Sequence, residues 1–276
     1  MISISTILIF INVIVSYRGI KDHAFFDQYS FRVGPILLQK DYKRLITSAF
    51  LHVSWTHLIF NMLALFFFGD SLEYSLGPLS FIIIYFASII GGNLLSLFIH
   101  RNHESYSSAG ASGAISGVIF AAIAIIPGLN IGLFLLPIQI PGWLFGLIYV
   151  GISIYGIRSN RDNIGHDAHL GGGLAGMMVA LALNPSVIAT NIVTILIVSL
   201  PSIAFILFII YNPEALLIDN MFFRSNRNYN LEDRYNVSKK QKQQKLDDIL
   251  EKIHRQGMSS LTQKEKMLLK QYSEKT

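Results

Sequence analysis

The stretch Ala109-Gly-Ala-Ser-Gly-Ala-Ile-Ser-Gly-Val-Ile-Phe-Ala-Ala-Ile-Ala-Ile-Ile-Pro127 runs for 19 residues without a charge. A helix built from it offers water no polar face, so it does not suit the surface of a soluble bundle. An uncharged apolar run of about 20 residues predicts a helix that crosses a bilayer. The polar side chains within it, Ser112 and Ser116, are four residues apart and share one face. Gly113 and Gly117 form a small-xxx-small pair beside them, the pattern that lets two helix backbones approach closely in lipid.

The same reading extends outward in both directions. Apolar residues make up 52% of the 276-residue chain and charged residues 14%, against about 25% charged in ordinary globular proteins. Between Arg44 and Arg224 the Lys and Arg residues are Arg101, Arg158 and Arg161 alone. Seven spans are predicted, near 2–20, 55–75, 79–100, 109–127, 141–157, 165–183 and 187–211. The Ile2–Val15 run lacks a basic leader and a small-residue cleavage site, which predicts a retained first span. Breakers separate the later spans: Gly77-Pro78, Pro127-Gly128, Pro141-Gly142 and Asn184-Pro185. The link from Lys21 to Ser54 is long and aromatic-rich, and is expected to be partly folded at the interface. Phe134–Pro141, with two prolines among apolar residues, reads as a loop at membrane depth. The fold class is therefore all-α: a polytopic transmembrane helical bundle, with a six-span core over 1–183, a seventh transmembrane helix over 184–211 and a soluble basic tail over 212–276.

The tail explains the net charge of +5, since 13 of the 22 Lys and Arg residues follow Tyr211. Such a tail is read as solvated, with no nucleic-acid partner. Leu246, Ile249, Leu250 and Ile253 recur at helical spacing, Gly257 stops that helix, and Thr262 with Glu265 forms a capping box. These signals predict a small helical hairpin. The absence of Cys excludes disulfides and thiolate chemistry. Every Lys and Arg falls in the odd-numbered connections or the tail, if Arg18 is counted with the first connection. The positive-inside rule then places the first connection and the tail in the cytoplasm.

Alternating spans run parallel, so the starts of the second, fourth and sixth lie near one membrane face. His57 opens the second span with Asn61 one turn deeper, Ser112 opens the fourth within Gly110-Ala-Ser-Gly113, and His169 opens the sixth within Ala168-His-Leu-Gly-Gly172. Ionisable side chains in spans are costly and face a cavity or one another. Gly172 and Gly176 form a second small-xxx-small pair, and packing it on Gly113 and Gly117 brings Ser112 to His169, a nucleophile beside a general base. His57 and Asn61 project from one helix face and, with the Ser112 amide in the first turn of its helix, supply donors for an oxyanion. Asp167 lies about 200° around the helix from His169, given 3.6 residues per turn, so the sequence predicts a Ser–His dyad without a carboxylate. A rival reading takes His52, His57, His166 and His169 as the metal site of a transporter; it lacks the His-Glu-x-x-His pattern and intramembrane carboxylates.

On these residues the sequence resembles the rhomboid family of intramembrane serine proteases. The motifs that carry the likeness are His57-x-x-x-Asn61, Gly110-x-Ser112-Gly113 and Ala168-His169-x-x-Gly172-x-x-x-Gly176, with Arg44, Gly69, Glu73 and Gly77 fitting around them over residues 1–183. The resemblance implies a serine endopeptidase of the cell membrane that cuts in or near transmembrane segments of membrane proteins. It assigns catalysis to Ser112 and His169, the oxyanion to His57, Asn61 and the Ser112 amide, and structural support to Gly110, Gly113, Gly172 and Gly176. No metal, no organic cofactor and no obligate partner are expected. The family also implies a site opening away from the cytoplasm, opposite to the charge distribution. Two positions depart from the family pattern: Lys43 precedes Arg44 where Trp is usual, and Ser116 stands where an aromatic residue commonly stacks on the catalytic His, leaving the imidazole less well braced. An inactive rhomboid-like protein that binds membrane clients is the remaining alternative.

Overall fold

A computed structural model describes residues 2–132, 139–159 and 164–212. Helix α1 (Ile4–Lys21) starts at Ser3, whose side chain accepts the Thr6 amide, and is followed by α2 (His23–Tyr29), capped by Asp22. Strand β1 (Phe31–Arg32), α3 (Val33–Leu38), α4 (Arg44–Thr47) and a 3-10 turn (Ser48–Phe50) complete the first connection. Helix α5 (Trp55–Ala64) continues through one π-helical turn (Leu65–Gly69) into α6 (Asp70–Leu76). Then come α7 (Pro78–His100), β2 (Ser107–Ser108), α8 (Ser112–Ile125), β3 (Asn130–Gly132), β4 (Gln139–Pro141), α9 (Gly142–Ser159), α10 (His166–Leu183) and α11 (Val187–Tyr211).

Each predicted span is helical. Four of them, Ile4–Lys21, Trp55–Leu76, Pro78–His100 and Val187–Tyr211, are long and apolar enough to cross a membrane, and Ser112–Ile125 and Gly142–Arg158 are shorter apolar helices. The protein is a multi-pass helical membrane bundle. The helix of its fourth predicted span, α8, is shorter than the expected 109–127, for two local reasons. Gly110 takes φ +149, a backbone angle that side chains rarely adopt, so the helix starts only at Ser112. Ile126, before Pro127, is extended, as residues preceding proline usually are. The resulting 14 residues rise about 21 Å at 1.5 Å each, short of the roughly 30 Å hydrocarbon layer.

Helix α8 can be short because protein surrounds it. Every residue from Gly113 to Ile125 is buried. On one side, a Cβ at Gly176 of α10 would sit 2.5 Å from the Gly117 Cα, and one at Gly172 would run into the Gly113 carbonyl oxygen. The third span closes the group, a contact the glycine pairs of the fourth and sixth did not reveal: a Cβ at Gly92 of α7 would lie 2.6 Å from the Ala168 carbonyl oxygen. Helices α7, α8 and α10 thus meet backbone to backbone, where any side chain larger than hydrogen would push them apart.

Outside this trio the first connection is folded more fully than expected. β1 pairs antiparallel with β2, joining it to the residues that lead into α8. Arg44 is buried within it and donates to the carbonyls of Asp27 (2.7 Å) and Ser30 (2.8 Å) and to Asp41 (2.9 Å). Glu73 accepts the amides of Ile4 (2.8 Å) and Ser5 (2.9 Å), the open first turn of α1. At the end of the expected membrane-depth loop, Gln139–Pro141 pairs antiparallel with Asn130–Gly132. Pairing satisfies backbone groups that an apolar environment would leave without partners. Residues 133–138 and the tail from 213, with its predicted hairpin, lie outside the described residues.

Candidate active site

The site is assembled at the starts of α5, α8 and α10. Ser54 caps α5 by accepting the His57 amide at 3.2 Å, which sets His57 in the first turn and Asn61 one turn on. His57 is partly exposed, whereas Asn61 is buried. The Asn61 Nδ2 is buried and has no hydrogen-bond partner, an unusual condition for a donor that gains by finding an acceptor.

Ser112 is the first residue of α8, and no side chain caps that helix. The loop before it is pinned from below. The Gly110 amide donates to the Ser48 carbonyl at 3.1 Å, and the Ala111 amide to His52 Nε2 at 3.4 Å. Because His52 Nε2 accepts, its Nδ1 carries the hydrogen and donates to Ser16 Oγ (2.8 Å), which donates to the Phe50 carbonyl (3.0 Å). Burial first, and the neighbouring His57 second, lower the His52 pKa to about 3, so this chain works with a neutral imidazole. The Ala111 amide is engaged by His52, and the Ser112 amide belongs to the first turn of α8, whose amides have no partner within the helix.

His169 lies in the first turn of α10 and is buried. Its Nε2 is 2.7 Å from Ser112 Oγ. A Cβ built on Gly110 would lie 3.1 Å from His57 Nε2 and 3.6 Å from Ser112 Oγ, so the hydroxyl and the second imidazole flank one small space that only glycine leaves open. Asp167 points elsewhere: its carboxylate meets Ser96 Oγ (2.5 Å), His100 Nε2 (3.3 Å) and the Tyr106 hydroxyl (3.4 Å). Among the described residues no three His, Asp or Glu side chains converge as a metal site would require.

An alcohol held against an imidazole nitrogen, beside amide and imidazole donors, is an arrangement suited to acyl transfer. Two residues around it were missed. His52 was read only as a candidate ligand, since nothing in a sequence shows which backbone amide an imidazole will accept. Tyr149 sits within the apolar run of α9 and gave no signal. Its ring centroid lies 5.9 Å from that of His169 at an interplanar angle of 33°, and its hydroxyl is 2.6 Å from Ser116 Oγ. An aromatic ring therefore faces the imidazole even though position 116 is serine, because another helix supplies it.

The chain is similar to curated rhomboid proteins. It is 37% identical over 150 residues to the mitochondrial Rhomboid protein 1 of Saccharomyces cerevisiae, covering 52% of this chain and 43% of that protein. It is 34% identical over 150 residues to the rhomboid protease GluP of Bacillus subtilis, covering 54% of this chain and 28% of that one. An 81-residue match at 38% identity, 29% of this chain and 23% of the relative, is to the inactive RHOMBOID-like protein 8 of Arabidopsis thaliana. The matches thus span less than half the length of these relatives. Residues 229–275 match a family of unknown function. Residues 39–186, more than half the chain and including His57, Asn61, Ser112 and His169, match the rhomboid domain, and the chain belongs to the rhomboid family.

Proposed function

We propose that this rhomboid protein is an active intramembrane serine endopeptidase working through Ser112 and His169. The observation that carries the reading is the 2.7 Å separation of Ser112 Oγ and His169 Nε2. As the hydroxyl oxygen attacks a scissile carbonyl, its proton passes to His169 Nε2. The oxyanion that forms takes hydrogen bonds from the Ser112 amide, His57 and the unpartnered amide of Asn61. Collapse of the tetrahedral species breaks the C–N bond, and the imidazolium gives its proton to the leaving amine. Water then attacks the acyl-enzyme, with His169 again taking the proton, and the second collapse restores the serine. Gly110, Gly113, Gly172 and Gly176 act by allowing the approach of the helices that carry these groups. No step calls for a metal or an organic cofactor. The substrates are transmembrane proteins cut in or near their spans, and the site of action is the cell membrane.

The inactive relative favours a second reading, in which the protein binds membrane clients without cutting them. A fluorophosphonate probe on the purified protein separates the two. An active protease labels at Ser112, loses the label in Ser112→Ala and labels far more slowly in His169→Ala. An unlabelled wild type that still captures transmembrane clients supports the binding role instead.

A further inference from the structure

Ser116 Oγ lies 2.7 Å from the carbonyl oxygen of Ser112 and donates its only hydrogen there. The Tyr149 hydroxyl, 2.6 Å from the same Oγ, must therefore be the donor between the two. This tethers the phenol of α9, through one serine, to the backbone of the residue whose hydroxyl meets His169. The ring of the same tyrosine lies against the His169 imidazole, with centroids 5.9 Å apart and planes tilted by 33°. The contacts close a circuit from the Ser112 carbonyl to Ser116, Tyr149, His169 and back to the Ser112 hydroxyl.

The ring is itself held in place. Phe145, one turn earlier on α9, stacks on it at 6.2 Å and 22°, and Phe120 of α8 meets it edge-on at 5.9 Å. Aromatic pairs in this distance range attract one another beyond the area they bury, which favours one imidazole orientation over its alternatives. His166 also meets His169, at 72° and 5.5 Å on α10 itself, but the Tyr149 ring is the more nearly parallel of the two.

We propose that Tyr149 is a positioning residue for His169: its ring face fixes the imidazole in the orientation that accepts the Ser112 proton, and Ser116 fixes the ring. The inference rests on the dyad reading above. It assigns to α9 a part in catalysis although no residue of that helix reaches the reacting atoms. A misoriented base leaves substrate binding intact and slows proton transfer, so the loss appears in kcat and not in KM.

The test measures kcat and KM on a transmembrane peptide substrate, together with fluorophosphonate labelling, for full-length wild type, Tyr149→Phe, Tyr149→Leu and Tyr149→Ala in detergent. Tyr149→Phe keeps the ring but loses its tether to Ser116 and should fall about threefold, the loss corresponding to one hydrogen bond. Tyr149→Leu keeps bulk without a flat face; it and Tyr149→Ala should lower kcat and the labelling rate about tenfold, a change of about 1.4 kcal/mol, with KM changed less than twofold. Leucine is the control for collapse of the site, since it fills the space. The inference is overturned if Tyr149→Leu matches wild type, if Tyr149→Phe falls as far as leucine, or if the loss lies in KM. A wild type that never labels at Ser112 overturns the dyad reading and this one with it, whereas a labelling wild type with indifferent Tyr149 variants overturns this one alone.

Discussion

Helices α8 and α11 are both uncharged and apolar, yet they differ sharply in burial. Beyond Ser112 every residue of α8 is buried, while α11 buries Asn191, Ile195, Val198, Ser202, Phe205 and Ile209 and turns most of its Ile, Leu and Val side chains outward. The inner helix is the one rich in Gly, Ala and Ser, and the outer one is richer in large aliphatic side chains. In water the order would be reversed. Lipid chains are as apolar as leucine, so hydrophobicity does not distinguish core from periphery in a bilayer, and close backbone approach does. Small residues mark the interior, and they admit the polar groups of the proposed site.

The sharpest way to break this contrast is to make one chemical change in both helices. Ser112→Ala should abolish proteolysis and phosphonate labelling. Ser202→Ala in α11, where the hydroxyl donates only to the Val198 carbonyl at 3.1 Å, should leave both within about twofold, since one intrahelical hydrogen bond contributes about 1 kcal/mol to stability and nothing to the reaction. His169→Ala belongs with the inner change and should cost on the order of 10²–10⁴ in rate. A labelled Ser112→Ala protein would remove the inner helix from the chemistry.

Two asparagines sharpen it next. Asn61 presents a buried amide with no acceptor, while Asn191 of α11 donates from Nδ2 to the carbonyls of Ile123 (3.0 Å) and Ala124 (2.9 Å) at the end of α8. Asn61→Ala should lower kcat by about 10²–10³, the usual loss for one oxyanion donor, with little change in melting temperature. Asn191→Ala should do the reverse, destabilising by roughly 1–3 kcal/mol because two carbonyls lose their donor, with kcat per folded molecule preserved. Equal effects on rate would deny Asn61 its role.

Glycines offer the same comparison for packing. A Cβ at Gly172 meets the Gly113 carbonyl oxygen, backbone that cannot swing away, whereas one at Gly151 of α9 meets nothing within 4 Å. Gly172→Ala should destabilise by about 1–3 kcal/mol, as overpacking does, and lower activity by separating α8 from α10. Gly151→Ala should stabilise by about 0.5–1 kcal/mol, since alanine loses less conformational freedom in a helix. Chemical denaturation of each variant in mixed micelles reads both.

The sequence displayed these elements unevenly. Uncharged runs between breakers marked every span, and glycine spacing marked the contact of α8 with α10, because both are one-dimensional patterns. Ser112, His169, His57 and Asn61 were legible because parallel spans put their starts at one depth. The contacts of His52 and Tyr149 were not, since an imidazole accepting a loop amide and a tyrosine facing histidine from another helix depend on rotations about helix axes that no spacing encodes. The start of α8 at Ser112 likewise depended on the backbone angle at Gly110. Glu73 and Arg44 were named through the family resemblance, but which open helix end or loop carbonyls they would satisfy emerged only from the fold.

The smallest effect concerns pH, and it again separates the inner region from the outer. Burial lowers the His52 pKa from 6.5 to about 3. Above about pH 6.5, the ordinary histidine pKa, folded and unfolded chains both hold this group neutral, and its contribution to stability is complete. As pH falls below that value the unfolded chain takes up a proton that the folded chain refuses, so stability declines with acidification until the folded pKa is reached near 3. Protonating Nε2 would also cost the Ala111 amide its acceptor and loosen the loop ahead of Ser112. Helix α11 between Val187 and Ile210 contains no titratable side chain, so it adds nothing to this slope. Melting temperature followed from pH 7.5 to 4.5 should fall less steeply in His52→Gln than in wild type, although the variant starts lower at pH 7.5, and an Asn191→Ala curve should run parallel to wild type. Parallel curves for His52→Gln and wild type would mean that the loop ahead of Ser112 does not depend on a neutral His52.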